Sequence, residues 1–125
     1  MMRTPLRRVL GLGSAKSGTQ HFWMQRLTAV ALVPLTVFFV FLVISLQGEP
    51  YEAVRATVAN PFVAILMLLF IISGVYHMKL GMQVIIEDYV HAEALKVVAL
   101  IGNVFFAFAV GLAAVWAVVK ISFGG

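Results

Sequence analysis

The chain has 125 residues, of which 62% are hydrophobic and 11% charged, with a mean hydropathy of +1.04 and a formal net charge of +4. That composition lies well outside the range of soluble domains and reads as an integral membrane protein. The absence of cysteine excludes thiol catalysis, disulfides and iron-sulfur ligation by this chain, and the basic residues flank apolar runs instead of clustering with aromatics, so they report membrane topology and not nucleic-acid binding.

A chain this short supplies only a few spanning helices and little interior in which to build a site alone, so a partner is implied. Residues 1–21 form a basic tail carrying Arg3, Arg7, Arg8 and Lys16 and no acid. Within it "GLGSAKSGT" superficially matches a phosphate loop, but a Walker A motif needs glycine where Ala15 and Leu10 stand. The dinucleotide fingerprint fails as well, because Lys16 takes the place of its third glycine and no strand precedes it. The first span runs from about Phe22 to Leu46, enough to cross the hydrocarbon at about 1.5 Å per residue. It is too long for the apolar core of a signal peptide and no small-x-small cleavage site follows, so an uncleaved span is expected.

"QGEPYEAVRATVANP", from Gln47 to Pro61, reads as a short polar loop whose Asn60-Pro61 end offers a helix cap followed by proline in the first turn. A second span is expected at about 62–86, then a loop "EDYVHAEALK", then a third span at about 97–119 closed by Lys120. The expected fold is therefore an all-α membrane protein with three transmembrane helices, divided into a tail, 1–21, and a three-span unit, 22–125. Arg3, Arg7, Arg8, Lys16, Arg26, Lys79 and Lys96 fall on the amino-terminal side and only Arg55 and Lys120 on the other. Seven basic residues against two put the amino terminus in the cytoplasm, or in the matrix of a mitochondrion.

His77 is the histidine well inside a span; His21 stands at the start of the first and His91 in a loop. On a helix, Ser73 and Gly74 lie one turn before it and Gly81 one turn after, so small residues surround the imidazole. Two readings follow. Small residues serve close helix packing, and the histidine then hydrogen-bonds across the interface. Alternatively a flat cofactor lies against this face, with His77 as axial ligand to a haem iron. One histidine gives one axial ligand, so the other would come from a partner subunit or a second copy.

Asp88 follows His77 by eleven residues. On a continuous helix that is about 1,100° of rotation and about 16 Å of rise, which returns Asp88 to nearly the same face. Glu87 and Asp88 fit a solvated helix end, and Tyr89 fits an interfacial aromatic; both also fit a water-accessible site at the end of the wall that carries His77. Arg26, after "HFWMQ", either snorkels to headgroups or pairs with an anionic group held between helices, such as a haem propionate. Trp23 fits a belt position.

"QRLTAVALVPL" in the first span and the H-x10-DYVH pattern from His77 to His91 together resemble the hydrophobic membrane anchor subunit family of succinate dehydrogenase, the smaller of the two anchors of respiratory complex II. The resemblance covers the chain in length, span number and order. It implies a bacterial inner-membrane, multi-pass subunit that is inactive alone and part of a succinate:quinone oxidoreductase, assembled in lipid with a flavoprotein, an iron-sulfur subunit and a cytochrome b-like second anchor. It further implies a haem b shared by the two anchors, with His77 as axial ligand and Arg26 near the propionates, and a ubiquinone-reduction site to which Asp88 and Tyr89 contribute. His21 matches less closely and stays a further candidate. A quinol-fumarate reductase anchor shares this architecture and runs the reaction in the opposite direction.

A function of another class competes: a small oligomeric proton-coupled transporter or channel, whose membrane histidine and acids form a proton path. Colour separates the two, since a transporter is colourless and a haem-bound anchor shows reducible Soret and alpha bands.

Overall fold

The computed structural model describes residues 14–124, with side chains described from Thr19 onward. Its elements are α1 (Ser14–Ser45), α2 (Tyr51–Ala59), α3 (Pro61–Tyr89) and α4 (Glu93–Ser122), and α1, α3 and α4 are long and apolar enough to cross a membrane. The expected all-α, three-span architecture is present. The basic side chains assigned to the tail, Arg3, Arg7, Arg8 and Lys16, lie outside the described residues.

Two expectations need correction. The loop from Gln47 to Pro61 contains a helix, α2, which begins after Pro50, carries Glu52 in its first turn and packs Val58, 7% exposed, against the longer helices. It stops at Asn60 because the residue before a proline is pushed out of the helical region, here to φ −62° and ψ 127°. The same residue starts α3: Asn60 Oδ1 accepts a hydrogen bond from the Phe62 amide at 2.9 Å and Pro61 occupies the first turn, as the sequence predicts. The second correction concerns helix ends. α1 begins ahead of Phe22, α3 continues through Glu87 and Asp88 to Tyr89, and α4 begins at Glu93, leaving Val90, His91 and Ala92 as the connection. Apolarity marks where a helix meets lipid, while hydrogen bonding continues into the polar layer.

α3 is the middle helix. It packs against α1 on one side and α4 on the other, while α1 and α4 do not touch among the described residues, and α2 lies against both α3 and α4. After α1 the chain turns at Gly48, whose φ of +78° is left-handed and suits glycine. Ser122 near the end of α4 donates to the Val58 carbonyl at 3.1 Å and fastens α2 to that end of the bundle.

Burial is sparse. Among the described residues six apolar side chains are buried, Leu42, Val58, Leu80, Ile86, Ala107 and Val118, and thirty-two large hydrophobic side chains are exposed. In lipid this is no penalty, because the tails are as apolar as the side chains; helix association rests instead on close packing and interhelical hydrogen bonds. Asn103, 8% exposed, supplies one such bond, donating from α4 to the Lys79 carbonyl of α3 at 3.0 Å. Phe39 and Phe70 stack at 4.8 Å and 18° across α1 and α3. Gly111 provides close packing, since a Cβ there would meet Val75 Cγ1 at 3.5 Å, an ordinary contact. Gly111→Ala should therefore be tolerated, whereas Gly111→Leu should push α3 and α4 apart and cost about 1 to 3 kcal/mol, measured as a lower midpoint for thermal dissociation in detergent.

Candidate functional site

α1 and α3 run antiparallel, and one stripe of each faces the other. Leu32 approaches Gly74, where a Cβ would lie 3.8 Å from Leu32 Cδ2. Thr28 meets His77, with Thr28 Oγ1 3.0 Å from His77 Nδ1. Gln25 approaches Gly81, where a Cβ would lie 3.8 Å from Gln25 Nε2. The spacing follows from helix periodicity, since 25, 28 and 32 on one helix and 74, 77 and 81 on the other each recur at three- and four-residue steps. The glycines thus face side chains of α1 and bring the helices together. That is the close-packing role weighed for them in the sequence.

Thr28 is 7% exposed and its hydroxyl lies 2.8 Å from the Met24 carbonyl and 3.1 Å from the Gln25 carbonyl, so it is held against its own helix as well as against His77. His77 is half-buried, and its Nε2 has no hydrogen-bond partner among the described residues. Its ring lines two open clefts that share His77 and Ala29. One, of about 430 Å³, is lined also by Leu32, Val33, Thr36 and Val37. The other, of about 430 Å³, is lined also by His21, Phe22, Gln25, Arg26 and Val84. The imidazole therefore stands on a groove that follows the α1–α3 seam, apolar on one side and polar on the other.

At the polar end the Arg26 guanidinium lies over the Phe22 ring, 4.8 Å from its centroid, and Phe22 in turn meets Trp23 edge to face at 5.8 Å. Two polar atoms of this cleft, His21 Nε2 and Gln25 Oε1, are buried without a hydrogen-bond partner among the described residues. Such atoms are costly unless something satisfies them. The structure thus brings His77, Arg26 and His21 to one groove, and it adds Thr28 and Gln25, which sequence reasoning missed. A signal was present in His21, Gln25 and Thr28, polar residues at helical spacing where the first apolar span begins.

Asp88 and Tyr89 lie elsewhere. The unbroken α3 helix supports the predicted alignment of Asp88 with His77, but neither Asp88 nor Tyr89 lines the groove, and both are exposed at the helix end, Tyr89 at 76%. Beside them Gln83 donates to Glu87 at 3.0 Å, an intrahelical pair one turn apart. His91 is exposed in the connection to α4. A third cleft, of about 400 Å³ between α3 and α4, is apolar apart from Tyr76 and Lys79 and holds none of the candidate haem or quinone residues.

Among the described residues no three His, Cys, Asp or Glu side chains come together as a metal-binding cluster. Haem needs no such cluster, because the porphyrin supplies four of the iron ligands and the protein only the axial ones. The groove fits the edge of such a group in its donor set: an imidazole nitrogen without a partner, an apolar wall, and a guanidinium with orphaned polar atoms at the other end.

The sequence model of the Succinate dehydrogenase/Fumarate reductase transmembrane subunit family matches residues 1–118. The chain is 39% identical over 121 residues to the succinate dehydrogenase hydrophobic membrane anchor subunit of Paracoccus denitrificans, covering 97% of this chain and 93% of that one. It is 34% identical over 84 residues to the corresponding subunit of Rickettsia bellii, covering 67% of each. It is 32% identical over 88 residues to the succinate dehydrogenase membrane anchor subunit of Reclinomonas americana, covering 68% of this chain and 73% of that one. No solved structure matches the chain significantly.

Proposed function

Because the chain belongs to the Succinate dehydrogenase/Fumarate reductase transmembrane subunit family, we propose that this multi-pass inner-membrane subunit holds one side of a haem b shared with a second anchor and contributes to the site of ubiquinone reduction. The observation that carries the haem reading is His77, tied through Nδ1 to Thr28 and lining an open groove. His77 Nε2 would be the axial ligand. Arg26, at the polar end of the same groove, would pair with a propionate, and the buried His21 Nε2 and Gln25 Oε1 would find partners in that polar edge. A second axial ligand would come from the other anchor, whose helices would close the groove from outside. Haem so placed supplies a one-electron redox centre within the membrane.

Quinone reduction takes up protons as well as electrons, so its site needs lipid access for the tail and a hydrogen-bonded route to water for the head. The end of α3 offers both. Tyr89 would donate to a quinone carbonyl and Asp88 would orient it or relay protons, with the catalytic electron carriers residing in partner subunits. The competing transporter reading draws less support, because the family model and the relatives are succinate dehydrogenase and fumarate reductase membrane subunits.

Purification from membranes under mild detergent tests this directly. A flavoprotein, a cysteine-rich iron-sulfur protein and a second anchor should copurify, and dithionite should develop the Soret and alpha bands of a low-spin haem b. A colourless preparation lacking those partners would remove the proposal. The amino terminus is placed in the cytoplasm on the same reading: a reporter fused after Gly125 should behave as periplasmic and one inserted near Glu93 as cytoplasmic, because basic residues concentrate on one side. Matching signals from the two fusions would contradict that topology.

A further inference from the structure

Thr28 is buried where α1 meets α3, and its hydroxyl lies within hydrogen-bond distance of three groups: the Met24 carbonyl at 2.8 Å, the Gln25 carbonyl at 3.1 Å and His77 Nδ1 at 3.0 Å. A hydroxyl has one proton and two lone pairs, and a carbonyl can only accept. If that proton went to Nδ1, the hydroxyl oxygen would face the Met24 carbonyl oxygen at 2.8 Å with no proton between them. If it goes to Met24, as the shortest of the three distances favours, Nδ1 must carry its own proton and donate it to Thr28. Only the second arrangement places a proton in both of the shorter contacts, to Met24 and to His77, with the Gln25 carbonyl at 3.1 Å at most sharing the hydroxyl proton. It fixes the tautomer of His77, with the proton on Nδ1 and the lone pair on Nε2.

We propose that Thr28 is a positioning residue for His77: it holds the imidazole in the tautomer that presents the Nε2 lone pair to the groove, and through the chain from Nδ1–H to Thr28 to the Met24 carbonyl it sets how strongly that nitrogen donates to an iron. The inference rests on the haem reading above. Hydrogen bonding at the far nitrogen orients a ligating histidine and raises its basicity, and the onward bond to Met24 polarises the hydroxyl and strengthens the effect. A more basic imidazole favours the ferric state, so the chain lowers the reduction potential of the haem relative to an imidazole without it. The same contact ties the two helices at the level of the ligand, so ring orientation and helix packing are set together.

The test uses the assembled complex and compares Thr28→Val, which keeps the branched shape and removes the hydroxyl, with Thr28→Ser, which keeps the hydroxyl. His77→Ala serves as the control for ligation. Thr28→Val should weaken haem retention by about 10- to 100-fold, the usual effect of losing an outer-shell partner, measured as haem per flavin during detergent washing. The haem that remains should titrate at a more positive potential, and Thr28→Ser should restore retention and potential together. Should Thr28→Val not assemble, Thr28→Ala is compared with Thr28→Ser by the same two measurements. Retention and potential unchanged in the hydroxyl-free variant would overturn the proposal. So would a serine variant as defective as valine, which would assign the effect to packing. A haem spectrum that survives His77→Ala would instead bring down the ligand assignment itself.

Discussion

His77→Ala should leave the assembled complex without its low-spin haem b spectrum, while His91→Ala leaves that spectrum unchanged. The two histidines differ in every respect that matters for ligation. His77 stands well inside α3, its Nδ1 held 3.0 Å from Thr28 and its ring lining the α1–α3 groove; His91 is exposed in the connection to α4. On the haem reading, alanine at position 77 would remove the ligand this chain supplies, and the iron would change spin state or be lost, either of which would change the Soret and alpha bands. It also deprives Thr28 of an interhelical hydrogen bond, worth about 0.6 kcal/mol on average within a membrane. That is too little to unfold the bundle, so haem loss and assembly are separable by measuring copurification of the partner subunits beside the spectrum. An unchanged spectrum in an assembled His77→Ala complex would exclude His77 as a ligand.

Part of this site was visible in the sequence because its components obey helix periodicity. A histidine in an apolar span with small residues one turn away on either side defines a face without knowledge of any other helix. The Asn60-Pro61 cap was legible for the same reason, being a local interaction between neighbours in the chain. What stayed hidden depends on register between helices. Thr28 looks neutral within "RLTAVAL", and its pairing with His77 requires knowing that α1 and α3 run antiparallel with position 28 opposite position 77. The glycines illustrate the same point. Sequence shows that Gly74 and Gly81 are small, but only the packed pair shows that Leu32 and Gln25 occupy the space beside them. Helix α2 was obscured by composition instead. Its nine residues include Glu52, Arg55 and Thr57, so the segment reads as polar loop, although Val54 and Val58 recur at helical spacing and Glu52 suits the positive end of the helix dipole.

Tyr89→Phe should reduce quinone-linked turnover roughly 5- to 150-fold while leaving assembly intact, the consequence of losing one hydrogen bond worth about 1 to 3 kcal/mol in a partly desolvated site. The substitution isolates the hydroxyl. Tyr89 is the last residue of α3 and 76% exposed, so within this chain little packing depends on it, and phenylalanine keeps the ring for any interfacial anchoring. Its neighbour Asp88 is exposed at the same helix end and available to water, which suits a proton route. As a quinone carbonyl gains electron density its oxygen becomes a better acceptor, so a donor placed there is worth more in the transition state than in the bound substrate; turnover, and not only substrate affinity, falls when it is removed. Electron transfer from succinate to a water-soluble dye that accepts upstream of the quinone should stay near normal, because this chain has no cysteine to hold an iron-sulfur cluster and, on the proposed function, the earlier carriers would reside in other subunits. The two assays must therefore diverge in the variant. If quinone reduction in a normally assembled Tyr89→Phe complex equals that of the unmodified one, the hydroxyl takes no part in the chemistry and Tyr89 serves only as an aromatic at the membrane surface.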